Sequence, residues 1–167
     1  DRQMGVLMKK PIQFPSRNHN HRSCVKRLLA DAEKECHRQK LRFTLHRREV
    51  LQIIASSHRP LGAYDILEQM NFSGKRQAPV VAYRALDFLI NLGLVHRLDS
   101  LNAFVACMAA REDHTAQFLI CRNCKNVGEL NSIRVSEQIV NDAVQVGFRV
   151  DQQVVEIIGI CSECGES

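Results

Sequence analysis

Two Cys-x-x-Cys pairs near the end of the chain, Cys121-Arg122-Asn123-Cys124 and Cys161-Ser162-Glu163-Cys164, constrain its fold more than any other feature. Two thiols separated by two residues can be turned by one tight loop onto a single ion. Two such loops complete the tetrahedral four-thiolate set that Zn2+ prefers. The 36 residues between the pairs exceed the spacing of a compact zinc ribbon, so a small subdomain must lie between the knuckles and be pinned at both ends. Two disulfides or a thiol-exchange pair are rival readings of the same residues. No secretory signal supports the first, and no βαβ pattern around a single motif supports the second. The expectation is a structural zinc on Cys121, Cys124, Cys161 and Cys164.

With 167 residues, 45% hydrophobic and 25% charged, the chain has the composition of one folded domain or two small ones. It holds no run of 18 apolar residues and no signal-type start, so neither a membrane span nor secretion is expected, and the reducing cytoplasm is the expected compartment. Charge divides the chain. Residues 1–100 carry 18 Lys and Arg against 9 Asp and Glu, whereas residues 101–167 carry 5 against 9. A basic front and an acidic back fit a polyanion-binding module joined to something else, although an ordinary solvated surface has the same balance.

Residues 1–23 contain Pro11, Pro15 and four basic residues after Arg2 without apolar periodicity, and read as a mobile basic tail. His19, His21 and Cys24 offer metal donors there, but no fourth ligand is near. From Cys24 to Gln39, Val25, Leu28, Leu29, Ala32 and Cys36 recur at helical spacing. Thr44 is placed to cap a second helix running through Ser57, with Val50, Leu51 and Ile54 on its inner side. Pro60 and Gly62 end it. A third helix, Ala63 to Met70, presents Ile66, Leu67 and Met70, and Asn71 to Gln77 forms a basic loop with Lys75 and Arg76. Pro79 opens a fourth helix whose stripe of Val81, Ala82, Ala85, Leu86, Leu89 and Ile90 ends at Gly93. Leu94 to Leu98 and Ala103 to Cys107 then read as strands joined by the turn Asp99–Asn102. Helices followed by a β-hairpin give the order of a winged helix-turn-helix, in which the last helix enters the DNA major groove.

After residue 107 the pattern changes to a β-α-β unit. Ala116 to Ile120 leads into the first knuckle and Val127 to Leu130 leads away. A helix capped by Asn131 or Ser132 carries Val135, Ile139, Val140, Ala143 and Val144 to Gly147, and Phe148 to Ile160 reads as one long strand. A unit of about 50 residues buries too little apolar surface to be secure alone. Zinc and a second copy of the chain would both remedy that.

Four further donors flank the junction: His96, Cys107, His114 and Glu129. Nitrogen, sulfur, nitrogen and oxygen make a set acceptable to Zn2+. Each alone is ordinary, since a strand histidine is usually surface-bound and a strand-end cysteine is usually a small core residue. Spacing does not assemble them.

Tyr83-Arg84-Ala85-Leu86, Leu92-Gly93-Leu94-Val95-His96, the Cys121-x-x-Cys124 knuckle and its late Cys161-x-x-Cys164 partner together resemble the ferric uptake regulator family, most closely its zinc uptake branch. The match runs from about Leu41 to Cys164. The resemblance implies an α+β homodimer, not an enzyme: a winged-helix DNA-binding domain at 24–107, a hinge at 108–115 and a small α/β dimerisation domain at 116–167. It also implies two Zn2+ per chain, one structural on the four cysteines and one regulatory on His96, Cys107, His114 and Glu129. Double-stranded DNA with a palindromic operator is the implied partner, with Tyr64 and Arg84 at bases beside Tyr83, and Lys75, Arg76 and Arg42 at phosphates. From residue type alone, a surface salt bridge for Arg84 and a half-buried ring for Tyr64 are equally consistent.

The chain departs from the family's pattern at three places. Before the first knuckle it reads Arg111-Glu112-Asp113-His114, with one histidine, which favours zinc over iron. The usual Thr-Pro before the second helix is Thr44-Leu45, and the usual Thr-Val before Tyr-Arg is Val81-Ala82. The expected function is repression of zinc uptake genes. A sibling regulator sensing iron or peroxide, and a zinc-structured dimer module without DNA binding, are the alternatives.

Overall fold

The computed structural model describes residues 21–57, 59–71, 77–107, 115–130 and 132–165. The expected tail over residues 1–20 with His19, the basic pair Lys75 and Arg76, the hinge segment 108–114 with His114, and Asn131 all lie outside the described residues.

Four helices open the fold: α1 His21–Arg38, α2 Leu45–Ser56, α3 Ala63–Asn71 and α4 Pro79–Asn91. Helix α1 starts at His21, so residues 21–23 belong to it and not to a tail. The apolar stripes read from periodicity meet in one core, where Leu51, Ile66, Met70 and Leu89 are wholly buried and Leu28 and Ala32 of α1 join them. Each fully buried aliphatic chain of this size contributes about 2 kcal/mol. Thr44 caps α2, its hydroxyl accepting the Arg47 amide at 3.4 Å. Helix α4 ends in a Schellman turn: Gly93, at φ 68°, donates to the Ile90 carbonyl and Leu94 to that of Leu89. The chain is thereby aimed straight into the hairpin.

That hairpin pairs β1 Val95–Leu98 with β2 Ala103–Ala106, with His96 opposite Val105 and Leu98 opposite Ala103. A 3-10 turn, Asp99–Leu101, joins them, and Asn102 closes it in the left-handed region at φ 46°. Leu61, between the two helix breakers Pro60 and Gly62, exchanges backbone hydrogen bonds with Phe104 at 3.1 and 2.8 Å. The α2–α3 connection is thus joined to the wing.

The second half is a three-stranded sheet in the order β4-β3-β5, from β3 Ala116–Cys121, β4 Val127–Leu130 and β5 Val154–Gly159. Strands β3 and β4 are antiparallel, and β5 lies parallel to β3 after a crossover through α5 Ile133–Gln145. The long strand expected from Phe148 is corrected: β5 begins at Val154. The Phe148 amide is committed to the Ala143 carbonyl in the cap that ends α5, and β3 offers its first partner, Ala116, to Val154. Helix α5 buries none of its residues. Ile133, Val144, Ile158 and Ile160 of the α5 and β5 region are all large and exposed, in contrast to the filled core of the helical half.

Candidate metal centres and nucleic-acid interface

Strand β3 ends at Cys121, and the chain turns back on itself through Lys125, which donates to the Cys121 carbonyl at 2.9 Å from a left-handed conformation. A four-residue helix, α6 Ser162–Gly165, forms the second knuckle, with the Cys164 and Gly165 amides on the Cys161 carbonyl. The knuckles adjoin because β5 runs beside β3 and Arg122 donates to Gly159 at 2.9 Å. All four sulfurs lie within 4.8 Å of one another. Cys124 and Cys161 are 3.8 Å apart, close to the roughly 3.8 Å that Zn–S bonds of about 2.3 Å impose across a tetrahedron. No disulfide joins any of the seven cysteines.

Electrostatics in this cluster favour a cation. The Cys121 thiol is lowered to about 6, first by the Cys124 amide and then by that of Cys161, which donates to its sulfur at 3.4 Å. Cys164 is pushed up to about 12 by sharing a hydrogen with Cys161 and by burial, and burial also raises Cys161. A thiolate is accommodated on Cys121, whereas Cys161 and Cys164 resist a second negative charge. A divalent cation at the centre removes that conflict.

The second cluster spans the two halves. His96 on β1, Cys107 just beyond β2 and Glu129 on β4 offer ligand atoms within 4.8 Å of one another. Cys107 is wholly buried, its amide fixed on the Leu94 carbonyl at 2.9 Å. The His96 Nε2 and Glu129 Oε1 atoms are also shut off from solvent. The His96 ring meets Phe118 of β3 edge-on at 5.3 Å. Around it Leu98, Phe118 and Ile120 form a small apolar cluster joining hairpin and sheet. Nitrogen, thiolate and carboxylate donors in a half-buried pocket fit a divalent cation of borderline softness.

On the outer surface of the helical half, Tyr64 of α3 is 84% exposed, which replaces the half-buried ring with a side chain standing in solvent. Tyr83 and Arg84 of α4 and Arg42 before α2 are exposed as well. Other basic residues are engaged internally: Arg47 stacks over the Phe88 ring at 3.4 Å, and Arg48 pairs with Glu33 of α1. Charge counting did not separate these two groups.

Sequence reading passed over Glu156 and Phe118. Glu156 accepts the Asp99 amide at 2.7 Å and the Ser100 amide at 3.1 Å from the wing turn. Its signal was an acid in the middle of the apolar run Val154-Val155-Glu156-Ile157-Ile158.

The sequence model of the ferric uptake regulator family matches residues 38–158. The chain belongs to the ferric uptake regulator family. Within this family of regulators, rather than enzymes, the chain is 34% identical over 146 residues to the zinc uptake regulation protein of Escherichia coli strain K12, covering 87% of this chain and 85% of that one. Among solved structures, a zinc uptake regulator complexed with zinc and DNA superposes with a TM-score of 0.81 at 34% identity, over 85% of this chain and 95% of that one. Holo XcZur superposes at 0.78 and 37% identity, over 84% of this chain and 99% of that one. Apo XcZur, at the same 37% identity over 86% and 99%, reaches only 0.50. With sequence held constant, the difference is one of shape: this ferric uptake regulator family member superposes better on the holo form than on the apo form.

Proposed function

We propose that the chain is a homodimeric, zinc-responsive repressor that binds a palindromic operator in double-stranded DNA and controls zinc uptake genes. The observation that carries this reading is the meeting of His96 and Cys107, from the wing hairpin, with Glu129, from the sheet, within 4.8 Å. Donors drawn from both halves make a site whose occupancy depends on how the halves are arranged. By linkage, the arrangement then depends on occupancy. The likeness to the holo over the apo form of XcZur supports the same reading.

Zinc would be held twice per chain, by Cys121, Cys124, Cys161 and Cys164 as a structural centre, and by His96, Cys107 and Glu129 with His114 as fourth donor in the hinge. In the hinge it would supply a cross-link between the winged-helix domain, residues 24–107, and the dimerisation domain, residues 116–167. The exposed apolar surface of α5 and β5 fits a second copy of the chain. A two-fold dimer with its wings held in place sets two α4 helices at a separation of about 34 Å or a multiple, which demands a palindrome. Arg84 then offers a bidentate contact to guanine, Tyr64 and Tyr83 pack at base edges, and Arg42, Lys75, Arg76 and the basic tail meet phosphates. The cytoplasm, where thiols stay reduced, is the compartment that suits both centres. No helix among the described residues is long and apolar enough to cross a membrane.

The test is an operator-binding titration against buffered free zinc, with metal analysis of the same samples. The expected result is two zinc ions per chain and DNA affinity that rises as the second loads. One zinc per chain with zinc-independent DNA binding would overturn the hinge assignment and leave the structural centre standing.

A further inference from the structure

We infer that Glu156 is a positioning residue for the hinge site: by holding the wing turn against the sheet, it sets where His96 and Cys107 meet Glu129. The inference rests on the reading of the hinge as a zinc site and extends it to a residue that is not a ligand. Glu156 is half-buried on β5, and its two oxygens are taken separately by two consecutive amides, those of Asp99 at 2.7 Å and Ser100 at 3.1 Å. A carboxylate accepting from two main-chain N–H groups is a charge-assisted, directional contact, stronger than an ordinary surface hydrogen bond. Across 56 residues of sequence it is a contact between the two halves, not a local one.

The register explains why this contact reaches the hinge. Glu129 of β4 and Glu156 of β5 both stand opposite Phe118 of β3, so Glu129, Phe118 and Glu156 form one row across the sheet. The hairpin lies along that row. Its turn is fixed on Glu156, the His96 ring rests against Phe118, and His96 and Cys107 come to Glu129. With the turn fixed, the four paired residues on each hairpin strand carry the constraint to His96 and Cys107 without a flexible joint. Glu156 is the sole acid between Asp151 and Glu163. Without it the turn faces the apolar residues of β5, which offer the two amides no acceptor.

The experiment uses the full chain with its cysteine centre loaded, in wild-type, Glu156→Ala and Glu156→Gln forms, and titrates the second zinc against a chromophoric chelator. Loss of a partner that orients metal ligands costs on the order of 10- to 100-fold in metal affinity. Glu156→Ala should therefore weaken the second zinc about tenfold or more while leaving the first zinc and the oligomeric state unchanged. Glu156→Gln, which retains one acceptor oxygen, should recover part of the loss. Wild-type affinity for the second zinc in Glu156→Ala would overturn the inference. Amide exchange at Asp99 and Ser100 separates this from failure of the hinge reading. A wild-type chain taking up one zinc overturns the hinge reading and with it the role assigned to Glu156, whereas fast exchange of both amides in a wild type that takes up two zinc ions overturns the Glu156 contact alone.

Discussion

Glu129 and Glu156 stand in the same row of the three-stranded sheet, one on each side of Phe118. One meets a histidine and a cysteine of the wing, the other the amides of its turn. The two clusters of candidate metal ligands are placed differently with respect to this row. The four-cysteine cluster lies within the second half, while His96, Cys107 and Glu129 lie where the halves meet.

Replacing one cysteine in each cluster should separate the two roles. Cys107→Ser is expected to abolish zinc-dependent operator binding in a chain that remains a folded dimer. Cys121→Ser removes a ligand from a centre whose metal is worth on the order of 10–16 kcal/mol in isolated peptides, as much as a whole domain's stability, and should dissociate the dimer. Sedimentation and operator-binding assays on both variants decide this. Undiminished zinc dependence in Cys107→Ser would remove it from the hinge.

Leu45 occupies the first position of α2, is 76% exposed, and follows a capping Thr44 at φ −72° and ψ 163°, a conformation suited to precede proline. Leu45→Pro is accordingly expected to stabilise the fold by about 0.4–1 kcal/mol through the unfolded state. A higher urea midpoint with unchanged slope would show it.

Gly93 holds φ +68°, and nothing lies within 4 Å of where its Cβ would be. Gly93→Ala therefore meets no steric contact and should cost only the left-handed backbone penalty, about 1–2 kcal/mol. Denaturant unfolding measures it. A much larger loss would mean that the turn aiming α4 into the hairpin has itself rearranged.

Acidification tests the wing contact in a Cys107→Ser chain. Burial acts to raise the Glu156 carboxyl, but the Ser100 hydroxyl and the Asp99 and Ser100 amides outweigh it and hold the group below its ordinary 4.5. A depressed carboxylate contributes stability that is complete above the unfolded value and is lost as pH falls through the folded one. The distance between wing and sheet, read with paired spin labels, should stay constant from about pH 8 to pH 5 and open only below about pH 4.5. Opening already above about pH 6 would show that Glu156 does not hold the wing.

Elements that carry their own signal were legible in the sequence. Apolar residues at helical spacing placed Val50, Leu51 and Ile54 in the core, where all three are buried, and the knuckle spacing foretold the four-sulfur cluster. Relations between distant segments were not. Spacing could not unite His96, Cys107 and Glu129, because the first two belong to the hairpin and the residue that follows it and the third to a separate sheet. The β-branched run from Phe148 looked like strand throughout, yet a strand exists only where a partner is in register, and β3 supplies one from Val154 onward. Glu156 stood unremarked in that run because its two partners lie more than fifty residues away.

The backbone exchange between Leu61 and Phe104 makes the winged-helix half a lever. Tyr64 is three residues beyond Leu61, and α4 runs directly into β1 through the Gly93 turn. A rotation imposed on the hairpin has two covalent or hydrogen-bonded routes into these helices, one through Leu61 and one through Gly93. The hairpin that carries His96 is therefore also the support of the helices on which Tyr64 and Arg84 face outward.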